Sequence, residues 1–453
     1  MILRRIAIAN RGEIAVRIIR TCERLGIETV LLASEADVDS VPARLATRTV
    51  CIGPPRSADS YLNADALISA ALGAHVQAVH PGYGFLSENA SFARRCRQAG
   101  LVFIGPTEEQ LAAVGDKLTA RRHAQKAGIP VVPGAAAASV EEALTVAERI
   151  GWPVLIKAVG GGGGRGMKPV FAPAEMPQAI ALATAEAASA FADSRVYLER
   201  FVQRGRHIEV QLLGDGERVV HLGDRDCSVQ RRYQKLIEEA PAPDLEPRLR
   251  RAIQAAAVSF GQHLRYRGAG TVEFLVDTVR NEFYFLEMNA RIQVEHPVTE
   301  EVTGLDLIGE QIAIAQDGLL AMSQTDIVLT GHALECRINA EDASRDFRPS
   351  PGTVSAARFA AGSDIRVDTH IESGARVPPF YDSLLAKLIV RAPDRGGCIE
   401  RMSAALVRTQ IQGVTTNLAL HAALMQEREF ARGAVDTAYF ARLQASRGLQ
   451  VPW

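Results

Sequence analysis

The sequence carries no surplus of either charge. Its 453 residues hold 51 Lys and Arg against 52 Asp and Glu, a formal net charge of −1. A sequence-blind nucleic-acid binder or a membrane-surface binder needs a basic excess, so both classes are excluded for the chain as a whole, and only a local basic cleft is left open. The six cysteines (Cys22, Cys51, Cys96, Cys227, Cys336, Cys398) are scattered without a Cys-x-x-Cys pair. That argues against a structural zinc site or a redox dithiol and makes the cytosol the expected compartment. No apolar stretch reaches membrane-spanning length. The opening Met1–Ala9 is too short for a signal peptide and lacks a small-residue cleavage site. There is no internal repeat and no long low-complexity tract, and neither the P-loop nor the dinucleotide fingerprint occurs. What remains is ordinary globular composition, 47% hydrophobic and 23% charged, at a length that calls for about two to four structural units.

The first third alternates short apolar runs with helical patterns. Strands are expected at Ile6–Ala9, Thr29–Ala33, Ala78–His80 and Val102–Gly105, and helices at Glu13–Leu25 and Ala66–Leu72. This alternation implies a parallel sheet covered on both faces. His80-Pro-Gly-Tyr-Gly84 follows a strand end, where α/β folds place ligand crevices. A helix over Asp116–Gly128 puts Lys117 in its first turn. A smaller unit follows the linker-like Ile129–Pro133, with strands at Pro153–Lys157 and Val196–Glu199 around a glycine run. Then comes a strand-rich region (Ile208–Leu213, Val219–Leu222, Gly270–Val276, Phe283–Leu286) with a helix at Arg248–His263. A last unit has strands at His332–Ile338 and Leu385–Val390 and helices at Cys398–Leu406 and Asn417–Met425. The expected class is α/β, α+β in its central part, with domains at 1–115, 116–330 (a lid subdomain at about 131–203) and 331–453.

The most informative segment is Glu287-Met-Asn-Ala-Arg-Ile-Gln-Val-Glu295. Glu287, Asn289, Arg291, Gln293 and Glu295 alternate with apolar residues, so an extended chain would present all five on one face. Glu287 and Asn289 offer hard oxygen ligands for Mg²⁺, Arg291 a planar fork for an oxyanion, and Glu295 a base. Upstream, Lys157-Ala-Val-Gly160-Gly-Gly-Gly-Gly164-Arg-Gly-Met167 joins a strand ending in lysine to a glycine run. Glycines let backbone N–H groups close over an anion, so this reads as a phosphate-covering loop and a mobile lid.

With Lys117, these parts make up a phosphoryl-transfer layout, and here the chain resembles the biotin carboxylases of the ATP-grasp superfamily from Ile6 to about Phe440. The motifs that carry the resemblance are Ile8–Ala15, His80–Asn89, the glycine run, Arg225-Asp-Cys-Ser228 with Gln230-Arg-Arg232, Glu238–Pro243, Glu287–Glu300 and Glu335–Asp342. The resemblance implies an ATP-grasp fold with an N-terminal doubly wound domain, a glycine-rich lid and a C-terminal domain. It also implies ATP- and bicarbonate-dependent carboxylation of biotin N1′ through carboxyphosphate. Lys117 and Lys157 would bind ATP phosphates under Gly162, Gly163, Gly164, Gly166 and Met167. Glu199 and Val202 would line the adenine pocket, with Leu275 also in the ATP site and His207, Gln230 and Tyr233 on the ribose side. Glu273 and Glu287, supported by Asn289, would hold Mg²⁺ or Mn²⁺. Lys235, Arg291, Gln293 and Val294 would hold bicarbonate, Glu295 would activate it, and Arg337 with Tyr83 would meet biotin.

Four places depart from the family pattern, one of them Ala46-Thr-Arg48, which stands where an acidic motif is usual. Tyr233 stands where histidine is usual. Ala290 replaces a threonine but faces away from the site on the alternating reading. Glu23-Arg24 reverses a basic-then-acidic pair in a helix that takes part in the family's homodimer contact. No Met-Lys-Met stands in a biotin-attachment context, and no carboxyl-transfer region is present. The expectation is a free-standing subunit or excised domain, a homodimer. It would act on biotin borne by a separate carrier protein, with carboxyltransferase on other chains and acetyl-CoA or a related acyl-CoA carboxylase as its setting. Two alternatives stay open: an ATP-grasp ligase with another acceptor, and a non-catalytic nucleotide-binding subunit.

Overall fold

A computed structural model describes residues 2–158, 167–191 and 195–447. Its first sheet has five parallel strands: β1 (Arg5–Ile8), β2 (Glu28–Ala33), β3 (Arg48–Cys51), β4 (Ala78–His80) and β5 (Val102–Phe103), in the order β3-β2-β1-β4-β5. The runs Ile6-Ala-Ile8 and Val30–Ala33 are buried on both faces, as a helix-covered parallel sheet requires. Helix Gly12–Arg24 packs Ile14, Ile18 and Cys22 on one face, while Leu67 and Phe92 of the helices Ala64–Gly73 and Ala90–Gln98 close the other. The strand order reverses between β1 and β4, and their adjacent ends carry two motifs that lock together. Asn10 Nδ2 donates to the carbonyls of Pro81 and Tyr83, each at 2.7 Å. Gly82 sits there at φ +61°, and a Cβ would lie 2.8 Å from that same nitrogen, so only glycine fits.

The small unit is a four-stranded antiparallel sheet of β6 (Gly134–Ala137), β7 (Val154–Ala158), β8 (Met167–Val170) and β9 (Val196–Arg200), ordered β6-β9-β7-β8. Helices Val140–Ile150 and Met176–Phe191 cover it. Gly162, Gly163, Gly164 and Gly166 lie outside the described residues.

The largest element is one antiparallel sheet of eight strands. They are β10 (Gly205–Asp215), β11 (Val219–Arg231), β12 (Gln234–Ala240), β13 (Arg267–Asp277), β14 (Glu282–Asn289), β15 (His332–Asn339), β16 (Ile365–Thr369) and β17 (Leu384–Ala392), in the order β14-β13-β10-β11-β12-β15-β17-β16. The sheet crosses residue 331 without a break, because β12 pairs with β15 from Ile237↔Cys336 to Ala240↔Ala333. The last unit therefore shares backbone hydrogen bonds with the central one. Among the described residues, no helix is long and apolar enough to cross a membrane.

Candidate active site

The eight-stranded sheet owes its chemistry to register. Glu209 on β10 lies opposite Glu273 on β13, which lies opposite Glu287 on β14, while Arg225 on β11 faces Glu209 from the other side. Directly opposed side chains share a face, so three carboxylates and a guanidinium stand in one row. Such a row cannot persist without more cations, and β12 supplies one. Lys235 Nζ reaches Glu209 at 2.6 Å, Glu273 at 3.1 Å and Glu295 at 2.6 Å. Arg225 has no solvent-exposed side-chain surface. It binds Glu209 at 2.6 Å and donates to Gln293 at 2.7 Å.

Glu295 lies between two cations, with Lys235 on one oxygen and Arg337 at 2.8 Å on the other. Burial alone would raise its proton affinity. Lys235, Arg337 and Arg225 overcome that and hold the carboxyl well below its usual range. Arg337 is shared with Glu238 behind it. Burial lifts Glu238 to about 7 against the pull of Arg337.

The polar segment departs from the extended reading. The strand ends at Asn289, the chain bends through Arg291–Val294, and Glu295 is the N-cap residue of helix His296–Thr303. The bend has a distant cause: Glu88 of the first unit accepts from the Ala290 N–H at 2.9 Å and from Arg291 Nε at 2.8 Å. The polar groups converge nonetheless. Asn289 and Gln293 both donate to Glu273 Oε1, at 3.2 and 2.9 Å, and Arg291 donates to the Asn289 side-chain Oδ1 at 2.5 Å. Ala290 is buried in the core, away from this cluster.

Two lysines border the opposite end. Lys117, the first residue of helix Lys117–Lys126, lies 3.8 Å from Glu287. Lys157 on β7 pairs with Glu199 on β9, which Arg121 also holds at 3.2 Å. Met167 is the register partner of Lys157. Val202 and Leu275 meet Val132 and Tyr284 in a small apolar cluster. His207 faces Glu273 at 2.9 Å, an ionic contact rather than an aligned hydrogen bond. Burial would lower the proton affinity of this ring, but Glu273 reverses that and raises it. Gln230 is buried opposite Lys235. Tyr233 lies in the β11–β12 turn, exposed, with φ +69° beside Arg232 at +47°. Both turn residues therefore have the positive φ that a two-residue hairpin demands.

The other end is a cleft of about 510 Å³ between the first unit and the sheet. Its wall includes Tyr83, Arg291, Val294, Arg337, Phe380 and Tyr381. The Tyr83 hydroxyl donates to Glu13.

A divalent cation fits the Glu273–Glu287 pair. Burial and the neighbouring Glu273 raise the proton affinity of Glu287, although its side chain is 43% exposed. Two carboxylates opposed in register form an oxygen-donor set suited to a hard cation.

Three family descriptions tile the chain: "Biotin carboxylase, N-terminal domain" over residues 2–111, "Carbamoyl-phosphate synthase L chain, ATP binding domain" over 116–322, and "Biotin carboxylase C-terminal domain" over 335–442. A biotin carboxylase from Nostoc is 51% identical over 438 residues, covering 96% of this chain and 98% of that protein. The chain belongs to the biotin carboxylase family. Solved structures agree. A biotin carboxylase from Campylobacter jejuni superposes with a TM-score of 0.94 at 44% identity, covering 97% and 99% of the two chains. The biotin carboxylase domain dimer of a 2-oxoglutarate carboxylase from Hydrogenobacter thermophilus, in complex with MgADP, ADP and bicarbonate, gives 0.92 at 42% identity, covering 98% of each. As a biotin carboxylase the chain is an ATP-dependent ligase of the ATP-grasp type, with a parallel first domain and antiparallel sheets behind it.

Sequence reasoning on this biotin carboxylase passed over several residues of the site. Glu209 is one, a charged residue between buried Ile208 and Val210; a carboxylate inside an apolar strand was the available signal. Arg225 stands in a motif that carries the resemblance but has no role assigned from sequence, and it is the buried strut of the carboxylate row. Glu88, inside the His80–Asn89 motif, and Lys387 act from distant sequence, and nothing local marks Lys387. Cys336 is buried packing, and burial pushes its thiol well above the usual range.

Proposed function

We propose that the chain carboxylates N1′ of biotin borne on a separate carrier protein, using ATP and bicarbonate, with Glu295 as the base. The observation that carries the assignment is Glu295 itself: a buried carboxylate clamped between Lys235 and Arg337, the latter lining a cleft with Arg291, Val294 and Tyr83. A base held so low is idle until its cations are diverted. A bicarbonate anion beside Lys235 and Arg291 draws that positive charge to itself. The proton affinity of Glu295 then rises where the proton must be taken. Gln293 and the Val294 backbone orient the anion toward the γ-phosphate, supplying proximity rather than new chemistry.

Lys117 and Lys157 receive the ATP phosphates, with Gly162, Gly163, Gly164, Gly166 and Met167 as the covering loop. Glu199, Val202 and Leu275 receive adenine, and His207, Gln230 and Tyr233 lie on the ribose side. Glu273 and Glu287, with Asn289, would hold Mg²⁺ or Mn²⁺. The cation would offset charge on the β- and γ-phosphate oxygens. Carboxyphosphate forms and gives CO₂ and phosphate, and the phosphate takes the N1′ proton. Arg337, fixed by Glu238, faces the enolate that develops on the ureido oxygen, with Tyr83 beside it. The domain boundaries 1–115, 116–330 and 331–453 follow this division of labour, and the setting is an acyl-CoA carboxylase whose carrier and carboxyltransferase reside on other chains. A homodimer of the kind seen in the Hydrogenobacter relative is the proposed assembly.

The test is ADP release by the purified protein with Mg-ATP and bicarbonate, with and without free biotin. Stimulation by biotin, lost in Glu295→Gln and Arg337→Ala, is the expected result. A rate that ignores both biotin and biotinylated carrier refutes the acceptor.

A further inference from the structure

Behind the anion cleft lies a lysine that the scheme above does not use. Lys387 on β17 has no exposed side-chain surface, and its Nζ donates to the Val294 carbonyl at 2.9 Å. Glu13 at 3.1 Å and Asp368 at 3.7 Å balance its charge. Register places it beside Arg337 on β15 and beside Asp368 on β16, so the three share one face of the sheet. One peptide earlier, His296 Nδ1 lies 2.7 Å from the Gln293 carbonyl. A carbonyl can only accept, so that ring nitrogen carries the hydrogen. Burial, then Lys387 and Arg17, keep the ring neutral.

The consequence follows from peptide geometry. Both peptides are trans, and in a trans peptide the C=O and the following N–H point in opposite directions. Drawing the Gln293 carbonyl to His296 turns the Val294 N–H away from that buried ring. Drawing the Val294 carbonyl to Lys387 turns the Glu295 N–H away from that buried lysine. Val294 lines the cleft alongside Arg291 and Arg337.

We infer that Lys387 is a positioning residue: with His296 it fixes two successive peptide planes so that the Val294 and Glu295 N–H groups are pre-aimed as a donor pair for bicarbonate. The inference rests on the bicarbonate reading above. Lys387 never touches substrate. It acts through the backbone, and through Glu13 it also reaches the Tyr83 hydroxyl. Neither the spacing of the motifs nor the composition marks it, because Lys387 is 93 residues from the carbonyl it holds.

The experiment compares Michaelis constants for bicarbonate and for ATP in wild type, Lys387→Met and Lys387→Arg, using bicarbonate-dependent ADP release. Lys387→Met is expected to raise the bicarbonate constant about tenfold or more, the effect of losing a charge-assisted hydrogen bond, while the ATP constant stays within about twofold. Lys387→Arg, which keeps charge and donor, restores part of the loss. Should Lys387→Met fail to fold, the double variant Glu13→Gln/Lys387→Met removes the unpaired charge, since Asp368 keeps Arg366 at 2.8 Å. Glu13→Gln alone is its control. Equal changes in both constants, or an unchanged bicarbonate constant in a folded variant, overturn the inference. If the wild type turns over without bicarbonate dependence, the reaction assigned above fails instead. ¹³C-bicarbonate line broadening then decides this inference alone: broadening in wild type that is lost in Lys387→Met sustains it, and equal broadening, or none in either protein, refutes it.

Discussion

Replacing Lys235 by methionine removes the common cation of three buried carboxylates. Breaking a buried ion pair by deleting one partner costs about 3–5 kcal/mol. Here each carboxylate keeps a second cation: Arg225 for Glu209 at 2.6 Å, Arg337 for Glu295 at 2.8 Å, and His207 for Glu273 at 2.9 Å. The loss therefore falls at the lower end, about 3 kcal/mol. The sign of its pH dependence is more diagnostic than its size. In the intact protein burial would raise Glu273 and Glu295, but Lys235 leads the cations that hold both below the usual range. Groups with depressed folded-state values stabilise the fold above their unfolded values and lose that contribution as pH falls through the folded ones. These two groups therefore leave wild-type stability flat from about pH 5 to 8 and erode it only below about pH 4. Without Lys235 both carboxyls rise as far as Arg337, Arg225 and His207 allow, so the variant loses less stability than wild type as pH falls below about 4. Urea denaturation of both proteins across that range measures this. Parallel pH profiles for wild type and Lys235→Met would refute the charge-row argument.

The other predictions probe separate parts. Arg225→Met leaves Glu209 with Lys235 at 2.6 Å and the more distant His207 at 3.8 Å and strips donors from Gln211, Thr271, Gln293 and Thr299; a destabilisation of about 3–5 kcal/mol is expected in the same assay. Tyr233→Asn suits the positive φ of the hairpin turn better than tyrosine does, and should stabilise by about 1 kcal/mol in thermal unfolding. Tyr233→His should move the Michaelis constant for ATP modestly, and no movement would count against a nucleotide role. Glu287→Gln should raise the Mg²⁺ concentration for half-maximal ADP release about tenfold, the effect of one lost anionic ligand, while folding is unchanged because the side chain is 43% exposed.

Legibility followed the apolar pattern and failed where charge replaced it. The continuous runs of β1, β2 and β4 were readable because both faces of a covered parallel sheet are apolar. The helix read over Asp116–Gly128 runs from Lys117 to Lys126, and the Asp116 side chain caps it. By contrast, only the first four residues of β11 read as strand. The remainder, Gly223–Arg231, carries Asp224, Arg225 and Asp226, all buried and paired with residues far away in sequence. Strand β12 was missed for the same reason: Lys235, Glu238 and Glu239 are charged because the site and its supports need them. The alternation from Glu287 to Glu295 identified the correct five residues but not their geometry, since Glu88 bends the chain from 202 positions away. The continuity of the sheet across residue 331 was equally invisible, because pairing between β12 and β15 leaves no trace in either strand alone.

The central claim is that Glu295 deprotonates bicarbonate for attack on the γ-phosphate. It is tested most directly by incubating the protein with Mg-ATP, biotin and ¹⁸O-labelled bicarbonate and measuring the label in phosphate by mass spectrometry. Attack by a bicarbonate oxygen predicts one ¹⁸O transferred per phosphate released, with both label and turnover lost in Glu295→Gln. Phosphate carrying only solvent oxygen would mean that water is the nucleophile, and would contradict the role given to Glu295 and its two cations.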